Sequence, residues 1–328
     1  MSILADIVSA TIVFMIPLLL VALGGMFSER SGVVNIALEG IMIIGALCSC
    51  LFLRYMDASG FGAAHPQWAM FFAILVAGLT GAIFSMLLAF ASVNLKADQT
   101  IGGTALNMLA PAFAIVLTWA IQGQGQTTIL IPTWARITQE TLGIPVRDTF
   151  LQSFLFKSFY QTTIWAVFLF IIATVVLYKT RFGLRLRSCG EHPQAADSVG
   201  VNVYRMRYAG VFISGLLGGI GGLAYTLAAG SAFQSTVAGY GFLALAVMIF
   251  GNWKPLNILG ASLFFALFKI LGSYSGSIPF LPKFDNIKAS EYIYLMLPYV
   301  VTMIVLILTS KKSRAPKAEG IPYDKGRR

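Results

Sequence analysis

The chain has 328 residues, 57% of them hydrophobic and only 11% charged, with a formal net charge of +10 and a mean hydropathy of +0.80. A soluble globular domain carries about 25% charged residues, and this composition excludes one. Apolar stretches of about 20 residues, long enough to cross a hydrocarbon core of roughly 30 Å, recur from end to end; the reading is an all-α, polytopic integral membrane protein.

In chain order the expected spans are 7–26, 33–53, 68–94, 104–121, 160–178, 207–229, 236–251, 255–272 and 291–309. The count is eight to ten, because a broken or re-entrant element near 24–40 would change it. The start, MSILADIVSA, has no basic n-region and no small-residue cleavage site, so the first apolar run reads as a retained span rather than a signal peptide.

The second span opens oddly, as FSERSGVVNIALEGIMIIGA (27–46). Ser31, Asn35 and Glu39 recur every four residues and on a continuous helix would share one face. A carboxylate facing lipid costs about 2.5–3.5 kcal/mol on insertion scales, so Glu39 should face protein or a water-filled cavity. Two roles fit it and Asn35 alike: lining a translocation route, or an internal hydrogen bond that pins two helices. Gly32 and Gly40 would permit a helix break or close packing. Cys48 and Cys50 point about 200° apart on a helix and read as small packed side chains, not metal ligands. His65 and His192 fall in separate loops.

The stretch NLKADQTIGGTALNMLA (94–110) reads as a helix start capped near Asp98 or Thr100 that carries Asn107 into an apolar helix. Residues 122–159 carry three basic residues nearly balanced by Glu140 and Asp148, and are expected outside. The loop 178–207 holds six basic residues and the tail 311–328 holds seven. By the positive-inside rule both face the cytoplasm, and the four spans between them satisfy that parity. The net positive charge is thus an orientation signal rather than a nucleic-acid footprint. Within the loop, Pro193 suits a first helical turn, Ala195 and Ala196 favour helix, and Gly200 can end it.

The run SGLLGGIGGLAYTLAAG (214–230) has small-xxx-small spacing at Gly215–Gly219 and Gly218–Gly222, expected to pack helices closely within the monomer. AGYGFLALAVMIF from Ala238 aligns with SGVVNIALEGIMI from Ser31, placing Gly32 on Gly239, Ala37 on Ala244 and Leu38 on Leu245. This hints at a two-half repeat, and paired glycine-interrupted segments point to a transporter's central pathway. The pathway residues expected on this basis are Asn35, Glu39, Asn107, Gly239, Tyr240 and Phe242. No Gly-Lys pair occurs, so the chain has no P-loop. No H-E-x-x-H or convincing G-x-S-x-G elbow supports an enzyme. Glu39 is the one acid well inside an expected span, too few for a proton relay.

QAADSVG (194–200) resembles the EAA---G coupling motif of the permease subunits of bacterial ABC importers, with Gln194 in place of the usual Glu. ERSGVVNIALEG, KADQTIGGTALNMLA and GEHPQAADSVGVNVYRMRY are most similar to the shorter permease of nucleoside importers of the guanosine and uridine type, in the group shared with ribose and branched-chain amino acid systems. The likeness runs from about residue 20 to residue 310. It implies that Pro193, Gln194, Ala195, Ala196, Asp197 and Gly200 couple to an ATPase. It also implies a permease domain over 1–310, a coupling loop at 179–208 within it, and a basic cytoplasmic tail at 311–328. The implied partners are a second related permease, a cytoplasmic ABC ATPase carrying ATP and Mg, an extracytoplasmic substrate-binding lipoprotein, and membrane lipid, with no nucleic acid. No cofactor is expected in this chain. The implied setting is the bacterial cytoplasmic (inner) membrane, multi-pass, with a cytoplasmic C-terminus. The expected cargo is nucleoside-like; alternatives are riboflavin, a simple sugar or a branched-chain amino acid, and more remotely a self-sufficient secondary transporter.

Overall fold

The apolar runs fold as helices because only a helix satisfies every backbone N–H and C=O inside one lipid-embedded segment. In a computed structural model, which describes residues 2–135, 160–230, 232–274, 296–297, 300, 303–304 and 315–326, the chain is almost wholly helical. The order is α1 (Ser2–Arg30), α2 (Leu38–Ala58), α3 (Phe61–Ala64), α4 (Pro66–Ala89, continued by a π-helical turn at Phe90–Asn94) and α5 (Gln99–Gln122). There follow β1 (Ile129–Leu130), α6 (Gln161–Lys179), α7 (Arg181–Glu191), α8 (Pro193–Ser198), α9 (Val203–Ala229), β2 (Ala232–Phe233), α10 (Tyr240–Phe250) and α11 (Pro255–Tyr274). Among the described residues seven helices, α1, α2, α4, α5, α6, α9 and α11, are long and apolar enough to span a membrane. The span expected at 291–309 falls almost wholly outside the described residues.

The centre of the bundle is α9, and its glycines explain why. Gly215 faces Ser85, Gly81 and Ala82 of α4, and Gly219 meets Ala77 of the same helix. Gly218 and Gly222 turn toward Ile41 and Met42 of α2, while Gly221 lies on Val21 of α1. None of these positions has room for a Cβ, so α9 is held between three neighbours by backbone-to-backbone approach. The glycine run is a packing device within the monomer, as its spacing suggested.

Two expected spans need correction. The one expected at 33–53 is a helix only from Leu38; residues 31–37 are non-helical. The one expected at 236–251 is helical only over Tyr240–Phe250, 11 residues, about 16 Å at 1.5 Å per residue, or half of a hydrocarbon core. Residues 232–239 ahead of it are non-helical, and β2 pairs antiparallel with β1 through Ile129↔Phe233 and Leu130↔Ala232. A glycine of positive φ marks each break, Gly32 at 95° near the start of the first and Gly239 at 78° at the end of the second. The register that pairs these two glycines does not superpose the helix starts, which follow Gly239 immediately but Gly32 only after five further residues.

The bundle has two chemically distinct ends. One, the basic end, carries α7, α8, the start of α9 and residues 315–326. The other carries α3 and the β1–β2 pair, and there the Trp134 indole donates to Asp57 Oδ1 at 2.7 Å.

Candidate functional site

Irregular backbone at membrane depth is tolerated only where other parts of the protein satisfy it. The break at 31–37 is satisfied residue by residue. Ser28 Oγ donates to Val33 O at 2.7 Å, and Gln99 Oε1 accepts from Val34 N at 2.7 Å. Asn107 closes the gap: its Nδ2 donates to Ile36 O and its Oδ1 accepts from Gly40 N, both at 2.8 Å. Asn35, fully buried, donates through Nδ2 to Ser214 Oγ at 2.8 Å. The notion that Ser31, Asn35 and Glu39 share one helix face is therefore wrong. Gly32 leaves the right-handed helical region, and the four-residue spacing crosses a loop and the first turn of α2.

Asp98 caps α5 as expected, its Oδ1 accepting from Thr100 N at 2.8 Å and Ile101 N at 3.0 Å. This fixes the register that delivers Gln99 and Asn107 to the break. Gln99 stands in a polar stretch of the sequence, but its role was not legible there, because its partner lies 65 residues away.

Glu39, in the first turn of α2, reaches the start of the half-helix α10. Its Oε1 accepts from Gly239 N at 2.8 Å and its Oε2 from Gly241 N at 2.6 Å. A carboxylate at a helix N-terminus satisfies orphan donors and complements the positive end of the dipole. Gly241 sits directly against the backbone of Glu39, with no room for a side chain. Of the expected pathway residues, the structure thus joins Glu39 to Gly239, while Asn107 bonds across the break just before Glu39. Tyr240 is buried, and Phe242 is 50% exposed.

Sequence reasoning passed over Lys269, the one basic residue inside the α11 span. Its Nζ lies 4.0 Å from the ring centre of Tyr240, 4.9 Å from Phe14 and 5.8 Å from Tyr225. A single charge in a 20-residue apolar window barely alters hydropathy, and none of the rings is near it in sequence.

At the basic end the expected short helix is present, and Gly200 ends it at φ 83°. Val201 N donates to Ala196 O at 3.0 Å and Gly200 N to Asp197 O at 2.9 Å, the paired bonds of a Schellman cap. Gln194, Ala195, Ser198, Val199 and Gly200 are exposed and Asp197 half-buried, whereas Pro193 and Ala196 are buried. Ala196 packs inside this chain with Cys189, Val203 and Tyr323.

Tyr323 belongs to the tail, which is not a loose basic end. Residues 315–326 lie as a strap across the loops. Ala318 N donates to Gly190 O at 2.8 Å, Gly320 N to Gly32 O at 3.3 Å, and Lys96 pairs with Asp324 at 3.1 Å. Beneath it Arg207, 1% exposed, donates through NH1 to Ile321 O at 2.9 Å. Alongside, Arg30 pairs with Glu191 at 3.7 Å and Trp253 Nε1 donates to Glu29 Oε2 at 2.5 Å. Glu319 lies against Glu29 and near Arg30. Burial above all holds its carboxyl over the usual carboxylate range, and those two neighbours oppose the shift without cancelling it.

A family model described as branched-chain amino acid transport system / permease component matches residues 7–308. The chain is 45% identical over 328 residues to the guanosine ABC transporter permease protein NupQ of Bacillus subtilis (strain 168), covering 99% of this chain and 98% of that protein. It is 43% identical to the nucleoside ABC transporter permease protein NupC of Lactococcus lactis subsp. cremoris (strain MG1363), covering 98% and 97%. It is also 24% identical to the nucleoside ABC transporter permease protein NupB of the same Lactococcus strain, covering 97% of this chain and 85% of that protein. No solved structure matches the chain.

Proposed function

This chain belongs to the family of branched-chain amino acid transport system permease components, and we propose that it forms half of the membrane pathway of an ATP-driven nucleoside importer. The observation that carries this reading is end-to-end identity of 45% and 43% to permeases named for guanosine and for nucleosides. Lactococcus has two nucleoside permeases that both match, at 43% and 24%; this supports a pore built from two different permeases, with this chain as the shorter.

The geometry suits that role. The Glu39–Gly239 link fixes a broken α2 to the half-helix α10, and the Asn107–Gly40 link fixes the same break to α5; such discontinuous elements frame midplane sites in transporters. In this reading Asn35, Glu39, Asn107, Gly239 and Tyr240 hold the frame, and Phe242 presents a face to the pathway. The basic end faces the cytoplasm, and α8 with its strap is the surface on which a separate ATPase, carrying ATP and Mg, acts. An extracytoplasmic lipoprotein delivers the solute to the opposite end. The chain itself catalyses no reaction.

The test is reconstitution of this permease with its second permease, ATPase and lipoprotein in liposomes. ATP-dependent uptake of radiolabelled guanosine or uridine is expected, and none of ribose, leucine or riboflavin. Gradient-driven uptake by this chain without an ATPase overturns the reading.

A further inference from the structure

An ammonium inside the membrane calls for an explanation in its own right. A Lys at the centre of a span is costly to insert, and such residues are retained where they pair or serve a pathway. Lys269 lies 14 residues from the start of α11, about 21 Å along it. Among the described residues the two ion pairs are Arg30–Glu191 and Lys96–Asp324, so Lys269 is in neither. Its Nζ instead rests among Tyr240 at 4.0 Å, Phe14 at 4.9 Å and Tyr225 at 5.8 Å. Desolvated cation–π contacts offset part of that insertion cost. Three elements far apart in sequence, α1, α9 and the N-terminus of α10, converge with α11 to build the cluster.

From this convergence we infer that Lys269 with Phe14, Tyr225 and Tyr240 forms a subsite for the planar base of the transported nucleoside. A nucleobase has apolar π-faces and, at its edge, carbonyl oxygens and ring nitrogens that accept hydrogen bonds. The cluster offers the complement: aromatic surface for the face and an ammonium with three donors for the edge. Tyr225 and Tyr240 pack with ring centres 4.4 Å apart and form a rigid back wall. Lys269 and Phe14 are only partly buried, so the wall is approached from their side.

Other solutes fit less well. A zwitterionic amino acid would bring its ammonium against that of Lys269, and the carboxylate of Glu39 is turned to the α10 backbone, accepting from Gly239 and Gly241. A bare sugar lacks the π-face. The subsite is placed where passage occurs, since Tyr240 opens the half-helix that Glu39 fixes to α2.

The inference rests on the nucleoside reading, and one experiment separates the two. Guanosine and uridine uptake are measured in the reconstituted full importer for the wild type and for Lys269→Met, Lys269→Arg, Tyr240→Phe and Tyr240→Leu. Copurification of the ATPase serves as the control for assembly. The expected result is a loss of more than tenfold in uptake for Lys269→Met and Tyr240→Leu at normal assembly. Tyr240→Phe should retain uptake, and Lys269→Arg should shift the guanosine-to-uridine ratio, because a planar fork meets the two base edges differently. 8-Azidoguanosine should label residues of α10 or α11 on irradiation, and excess guanosine should suppress that labelling. If the wild type transports guanosine while Lys269→Met and Tyr240→Leu match it in rate and ratio, with no such labelling, the subsite is wrong and the nucleoside reading stands. A wild type that moves no nucleoside overturns both.

Discussion

Glu39 illustrates how a residue that looks functional in sequence can act by holding backbone. Its two oxygens occupy the N–H groups of Gly239 and Gly241 at 2.8 and 2.6 Å. Hydrogen bonds to a charged group contribute about 1.5–3 kcal/mol each, and their loss would leave the α10 terminus with buried orphan donors. Glu39→Ala should therefore lower the thermal midpoint of the detergent-purified protein by several degrees, while Glu39→Gln, which keeps one acceptor oxygen, should fall between it and wild type. A midpoint for Glu39→Ala equal to wild type would show that the link is dispensable. The same residue marks a limit of sequence reading. Its unusual position was plain from a carboxylate beside an apolar run, but its partners, 200 and 202 residues away, were not. Spacing alone placed it on a common face with Ser31 and Asn35, a face that Gly32 abolishes. Asn107 is the parallel case: visible as a polar residue in an apolar helix, with its targets Ile36 and Gly40 unknowable locally.

At the scale of elements, what was legible is what local chemistry decides. The Asp98 cap of α5, the Pro193 start and Gly200 stop of α8, and the glycine face of α9 all follow from a few adjacent residues. The break at 31–37 falls within the broken element expected near 24–40, but its extent, like the non-helical approach to α10, depends on distant partners, so both expected spans run too long. The strap was missed for a different reason: seven basic residues in 311–328 read as a solvated tail, whereas its docking runs largely through main-chain groups that composition does not report. Its attachment should depend on pH. Glu319 keeps its carboxyl above the usual carboxylate range, chiefly through burial, so the docked strap binds more protons than the released one. Stability of the docked state is then greatest at acid pH and declines as pH rises from the ordinary carboxylate range through the raised value. Glu319→Gln should flatten that decline. Trypsin cleavage at Lys317 or Lys325, followed across pH, measures it directly; parallel profiles for the two proteins would remove Glu319 from the account.

For the molecule as a whole, the two ends impose different demands, and the basic end separates surface from support within one six-residue helix. Val199, 78% exposed, lies just beyond the last turn of α8, whereas Ala196 is 3% exposed and packs on Tyr323 of the strap. If the ATPase grips this end, the two positions must fail differently. An aspartate at Val199 would carry an unpaired charge into the contact, and truncating charge complementarity at a buried contact costs about 2–5 kcal/mol, or more than tenfold in association at 1.4 kcal/mol per decade. Val199 is 78% exposed, so the purified Val199→Asp protein should melt like wild type and fail to copurify the ATPase. A tryptophan at Ala196 cannot be housed beside Cys189, Val203 and Tyr323; overpacking of this kind costs about 1–3 kcal/mol and would displace the strap. Ala196→Trp should therefore lose thermal stability and ATPase association together, and speed trypsin cleavage after Lys317 by freeing the strap backbone. Should Ala196→Trp keep its stability and lose only the ATPase, Ala196 would be a contact residue after all, and the strap would have no part in presenting α8.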